Sequence, residues 1–143
     1  MVVDDEALVR SCLEAVLRAA GDVDVLACAT GVDAVDVVVA TGPDVVLLDV
    51  RMPVVDGMAV LGQLVALPAA PAVAMLTTFD ADSRVTEALA GGARGFLLKD
   101  TAPEQLVASV RALAAGAVVL SPGAARPLLG PRESGAAQAR VQA

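Results

Sequence analysis

The chain is predicted to be an α/β protein, a doubly wound parallel sheet of five strands with helices on both faces. Three observations predict it. Short apolar runs alternate with stretches of helical period along the chain. The runs are apolar throughout instead of alternating with polar residues, which suits strands covered on both sides. Several of them stop at a polar residue, as in "VVLLDVRMP" at 45–53, "MVVDDE" at 1–6, "AVAMLTTFD" at 72–80 and "GFLLKD" at 95–100.

The elements follow in order. Met1–Val3 reads as a short first strand, and the helix after it carries Leu13, Val16, Leu17 and Ala20 on one face, with Gly21 at its end. A strand near Val25–Ala29 precedes a helix near Val32–Ala40, stopped by Gly42-Pro43. Val45–Leu48 is the third strand, with a helix near Met58–Ala66 after its loop. Ala72–Leu76 is the fourth, and its helix near Ser83–Ala90 closes on Gly91-Gly92. Gly95–Leu98 is the fifth strand. The last helix opens with Thr101-Ala102-Pro103-Glu104, read as a capping box, and buries Leu106, Val110 and Leu113. After Gly116 the pattern fades, and 121–143, rich in Gly, Pro, Ala and Arg, reads as a linker or tail.

Composition excludes several classes. A length of 143 residues suits one domain with a sizeable core. The 57% of hydrophobic residues is mostly Ala and Val, and no apolar run approaches the roughly 20 residues of a bilayer span. No basic segment followed by an apolar one opens the chain, so no secretory signal is expected. Cys12 and Cys28 lack CxxC spacing and the chain has no His, so both are expected to be reduced core thiols of a cytoplasmic protein. A net charge of -7 argues against binding nucleic acid by bulk electrostatics.

The strand ends carry the chemistry. Ligands of open α/β sheets bind outside the carboxyl ends of the strands. There the sequence places Asp4-Asp5, Asp49, Thr77 and Lys99, whereas the second strand ends in the uncharged Cys28-Ala29-Thr30, as suits an edge. Taken singly, such an aspartate is commonly a helix cap and such a lysine a solvated charge. The conjunction says more, because Lys99 is the only lysine in the chain. Three gathered carboxylates call for a cation, and oxygen ligands without His or Cys select a hard one such as Mg²⁺. With the Thr77 hydroxyl and the Lys99 ammonium as partners for phosphate oxygens, the arrangement suits phosphoryl transfer.

On these residues the chain closely resembles the receiver domain of bacterial two-component response regulators, in the NarL/FixJ (LuxR-type) branch. The matching pieces are "DDE" at 4–6, "LLDVRMPVVDG" at 47–57, "LTTFD" at 76–80 and "GARGFLLKD" at 92–100, covering residues 1 to about 120. The resemblance implies a flavodoxin-like sheet of order 2-1-3-4-5, with a receiver at 1–120. It implies that Asp49 accepts a phosphoryl group from a sensor histidine kinase and that the domain then switches to control an output, transcription in the parent family. Asp5 and Asp49 would bind Mg²⁺ directly with the Arg51 backbone carbonyl, and Asp4 through water. Lys99 would pair with the phosphate and Thr77 would bond to it after modification. Phe96 matches the family's switch aromatic, turning into space that Thr77 vacates, while Arg51 and Phe79 match positions that tune phosphoryl lifetime. Phosphorylation-sensitive weak homodimerisation is a further expectation. "LSPGAARPLLGPRE" resembles the linker ahead of a LuxR-type helix-turn-helix, yet "GAAQARVQA" does not continue as one, so this chain is expected neither to carry the output domain nor to bind DNA directly.

The first strand is shorter than its relatives', and Val54-Val55 replaces smaller or more polar loop residues. A Mg²⁺-dependent phosphohydrolase would also use a strand-end aspartate, but the dehalogenase-like enzymes place a second acid two residues later, where Arg51 stands. A degenerate receiver acting only as an interaction module is opposed by the intact acids, Thr77 and Lys99. The expectation is therefore a phosphoacceptor switch that assists its own phosphorylation and dephosphorylation, and not an enzyme.

Overall fold

The structure, a computed structural model, describes residues 1–26, 28–78 and 82–121. The elements are β1 (Val2–Val3), α1 (Ala7–Arg18), β2 (Cys28–Ala29), α2 (Ala34–Thr41), β3 (Val45–Asp49), α3 (Gly57–Val65), β4 (Ala72–Thr77), α4 (Asp82–Ala90), β5 (Gly95–Leu98), α5 (Pro103–Ala114) and β6 (Val119–Leu120). All pairings are parallel, in the order β2-β1-β3-β4-β5-β6. The expected order is present, extended at the β5 edge by a strand that pairs Gly95 with Val119. Two residues are too few to show a period, which is why the sequence pattern seemed to end at Gly116.

Successive strand residues face opposite sides, and here both sides are apolar. Val3, Val46, Leu48, Met75 and Phe96 meet residues of α2, α3 and α4, while Val2, Leu47, Leu76 and Leu97 meet residues of α1 and α5. The unbroken apolar runs are the imprint of this double cover. Leu13 and Leu17 of α1, and Leu106, Val110 and Leu113 of α5, are buried as their spacing predicts, whereas Cys12, expected in the core, is exposed because it lies on the outer face of α1.

Local chemistry moves two helix starts. At α2, Asp33 N–H donates to the Thr30 carbonyl, so 30–33 is a turn and the helix begins at Ala34 with Val32 exposed. At α5 the capping box is not formed. Ala102 occupies the N-cap with Pro103 behind it, and the Thr101 hydroxyl donates back to the Leu98 carbonyl. Proline without an N–H suits the first helical turn, and Glu104 still faces the positive end of the helix dipole. Gly42 ends α2 in the left-handed conformation, at φ 65°.

No helix among the described residues is long and apolar enough to cross a membrane. Phe79 and the segment from Pro122 onward lie outside the described residues.

Candidate functional site

The strand register gathers the predicted residues at one edge of the sheet. Val3 is opposite Leu48, which sets Asp4 level with Asp49, the last residue of β3. Thr77 ends β4 opposite Leu98, and Lys99 continues that ladder by donating its N–H to the Thr77 carbonyl at 2.6 Å. The chain turns from β1 to β2 on one side and to β3 on the other, so the crevice between the β1 and β3 ends is the switch point of this topology.

Asp4 is fully buried and held from several directions. Its own N–H donates to the Ala29 carbonyl at 3.1 Å, Glu6 N–H donates to its Oδ1 at 2.9 Å, and the Arg10 guanidinium donates to its backbone carbonyl. Lys99 Nζ lies 2.7 Å from Asp4 Oδ2 and 3.2 Å from Asp49 Oδ1. The ammonium is thus the ion partner of Asp4 Oδ2. One cation therefore serves two buried carboxylates.

The electrostatics follow. Burial, reinforced by the Asp4 charge, pushes the Asp49 carboxyl above its ordinary range against the opposing pull of Lys99. Burial by itself would lower Lys99, but Asp4 and Asp49 together outweigh it and raise the ammonium's pKa.

The remaining predicted residues divide. Thr77 is buried at the crevice. Arg51 is exposed, and its backbone N–H lies 3.4 Å from Asp49 Oδ1, a long contact. Asp5 is turned toward the β2–α2 turn, where its Oδ1 accepts from Gly31 N–H at 3.2 Å. Among the described residues no three acidic side chains converge into a ready-made cation cage. Phe96 is fully buried in the layer that also holds Val85 and Ala88 of α4.

Three residues escaped the sequence reading. Arg10 gave no signal, being one of several arginines. Gly31 looked like a turn residue. Gly57 was visible only as part of "DG", but its role is steric: a Cβ there would lie 2.2 Å from the Asp49 carbonyl oxygen and 2.7 Å from that of Val50.

A doubly wound parallel sheet whose strand ends present a buried carboxylate pair on a single lysine is the arrangement of a signal-receiving α/β domain. The chain belongs to the response regulator receiver domain family, whose profile matches residues 1–111, and its relatives are the NarL- and UhpA-type response regulators of two-component systems. It is 38% identical over 117 residues to the uncharacterized transcriptional regulatory protein YxjL of Bacillus subtilis, covering 81% of this chain and 54% of that one. With the transcriptional regulatory protein UhpA of Escherichia coli it shares 35% over 133 residues, covering 92% and 66%. Among solved structures, the signal receiver domain of NarL from Mycobacterium tuberculosis superposes with a TM-score of 0.76 at 36% identity, over 80% of this chain and 94% of that one. The chain thus spans about half to two thirds of these curated relatives' length.

Proposed function

We propose that this receiver is a phosphoacceptor switch in which Asp49 takes a phosphoryl group from the phosphohistidine of a sensor kinase. The observation that carries the reading is the Lys99 ammonium held between Asp4 and Asp49 at the switch point. An Asp49 oxygen would attack phosphorus while the P–N bond breaks and the imidazole leaves with its electron pair, to be protonated. Lys99 stands where it can neutralise the new phosphate oxygens, and Thr77 supplies a hydroxyl at the neighbouring strand end. In promoting formation and loss of this acyl phosphate the domain acts on itself.

The acid cluster fits a hard cation. Its donors are carboxylate oxygens, and ionisation of Asp49 is disfavoured by burial and by Asp4. Asp49 and Asp5, with the Arg51 carbonyl, would hold Mg²⁺, and Asp4 would act through water. When bound, the ion supplies charge neutralisation at the acceptor and the incoming phosphate.

Residues 1–120 are read as the receiver and 121–143 as a linker, in a cytoplasmic protein whose partners are a histidine kinase and, when phosphorylated, a second copy. The transcriptional regulatory proteins among its relatives support control of transcription by the whole protein, while this chain itself is read as not contacting DNA. Arg51 and Phe79 are assigned to phosphoryl lifetime, and Thr77 and Phe96 to the switch. Incubation with a small acyl phosphate and Mg²⁺, followed by intact-mass measurement, tests the assignment. One phosphoryl adduct is expected, dependent on Mg²⁺ and absent from Asp49→Asn; undiminished labelling of that variant would overturn it.

A further inference from the structure

Three loops meet at Gly31. Its N–H donates to Asp5 Oδ1 in the β1–α1 loop at 3.2 Å. On its other side the β3–α3 loop closes in, and a Cβ at Gly31 would lie 2.9 Å from both Sδ and Cε of Met52 and 3.5 Å from Val55 Cβ. Gly31 itself sits in the Thr30–Asp33 turn that leads into α2 and is followed by the exposed Val32. Asp5 is thereby engaged with the sheet's β2 edge and not with the Lys99 cluster, in which Asp4 and Asp49 share one ammonium.

We propose that Asp5 is a shared ligand: it is held either by the Gly31 amide or by the hard cation assigned above, so that cation binding releases the β2–α2 turn. The inference rests on the reading of the acid cluster as a Mg²⁺ site. A carboxylate oxygen drawn toward a divalent ion gives up hydrogen-bonding strength to an amide, and the two demands on Asp5 oppose each other. Two consequences follow. The Gly31 contact lowers the apparent cation affinity by the fraction of molecules in which Asp5 is so engaged. The surface at Thr30–Val32 also becomes a second place where the state of the site is readable, on the opposite edge of the sheet from α4 and β5.

Amide NMR on the whole ¹⁵N-labelled chain, titrated with Mg²⁺ alone, decides it. The Gly31 amide proton is expected to move upfield and to exchange with solvent roughly tenfold faster, as befits loss of a hydrogen bond to a charged acceptor. Its midpoint should coincide with that of Arg51, which reports on the Asp49 side. In Asp5→Asn, which keeps an acceptor oxygen without the charge, the Gly31 amide should stay in its metal-free position and stop responding. Movement of Arg51 with an unmoved, protected Gly31 overturns the shared-ligand proposal while leaving the cation site intact. No movement at Arg51, Asp49 or Gly31 up to tens of millimolar Mg²⁺ overturns the cation reading and this inference with it.

Discussion

The Lys99 ammonium sits nearer to Asp4, at 2.7 Å, than to Asp49, at 3.2 Å. The lysine is thus anchored on the carboxylate that is not the proposed acceptor, and it reaches the acceptor from there. Its removal strands two buried negative charges. Lys99→Met is expected to destabilise the fold by about 3 kcal/mol near neutral pH, in the range found when one member of a buried ion pair is lost. Protonation of a carboxylate relieves the strain, so the deficit should shrink as the pH falls. Thermal unfolding followed by circular dichroism between about pH 4 and 8 checks both statements; a deficit independent of pH would contradict them.

Asp49 itself should cost stability at neutral pH. Its folded-state pKa is raised, first by burial and then by Asp4, so the folded chain binds this proton more tightly than the unfolded chain. The favourable contribution is present below the ordinary carboxylate range and is lost as pH rises through the folded value. Asp49→Asn removes the buried charge and leaves Lys99 paired with Asp4. We expect the variant to be more stable than wild type at pH 7 by about 1 kcal/mol, several degrees in Tm for a domain of this size. The difference should vanish in acid. A variant less stable than wild type at neutral pH, without Mg²⁺, would refute this account.

Two glycines of α3 should respond in opposite ways to the same substitution. At Gly57 a Cβ meets only backbone, with Asp49 O at 2.2 Å, Val50 O at 2.7 Å and Val50 Cα at 2.9 Å, whereas at Gly62 nothing lies within 4 Å. Gly57→Ala must push the helix start away from the end of β3. It is expected to cost about 3 kcal/mol and, by displacing Asp49, to slow labelling by acyl phosphate roughly a hundredfold. Gly62→Ala should stabilise by about 0.5–1 kcal/mol through helix propensity, with the labelling rate unchanged. Denaturant titrations and timed mass spectra measure the two quantities separately.

The fold was legible because the double cover makes every central strand apolar on both faces, and because Gly21, Gly42 and Gly92 all adopt positive φ at the turns the sequence marked. The cluster of Asp4, Asp49, Thr77 and Lys99 was legible for a related reason: in a parallel sheet every strand end points to the same edge, so a polar residue after each apolar run is also a neighbour of the others. What was not legible depends on side-chain direction. Adjacent Asp4 and Asp5 look equivalent in sequence, but one is buried beside Lys99 while the other reaches Gly31. Thr101-x-x-Glu104 fits a capping box, yet its hydroxyl is taken by Leu98 of the preceding strand. Arg10 serves Asp4 through a backbone carbonyl, a contact that no residue pattern encodes.

Thr77 and Phe96 are neighbours across the β4–β5 pair. The two lie on the same face of adjacent strands, since Phe96 is opposite Met75 and Leu98 is opposite Thr77. Phe96 is fully buried beneath α4, against the layer containing Val85 and Ala88. With the ring inside in this structure, the switch is read as a change in how firmly it is held there. We expect that the phosphorylated form holds the ring inside more firmly, with Thr77 drawn to a phosphate oxygen and the crevice closed over it, while the unmodified form samples outward positions. Beryllofluoride should therefore narrow the Phe96 ring signals and slow amide exchange along β5 in the wild type. Thr77→Ala should still bind beryllofluoride at Asp49 but show less than half of that protection change. Phe96→Ala, which opens a cavity, should lose about 3–5 kcal/mol of stability, marking the ring as core as well as switch. Equal protection of β5 in wild type and Thr77→Ala would show that the signal reaches Phe96 by a route that does not involve the threonine hydroxyl.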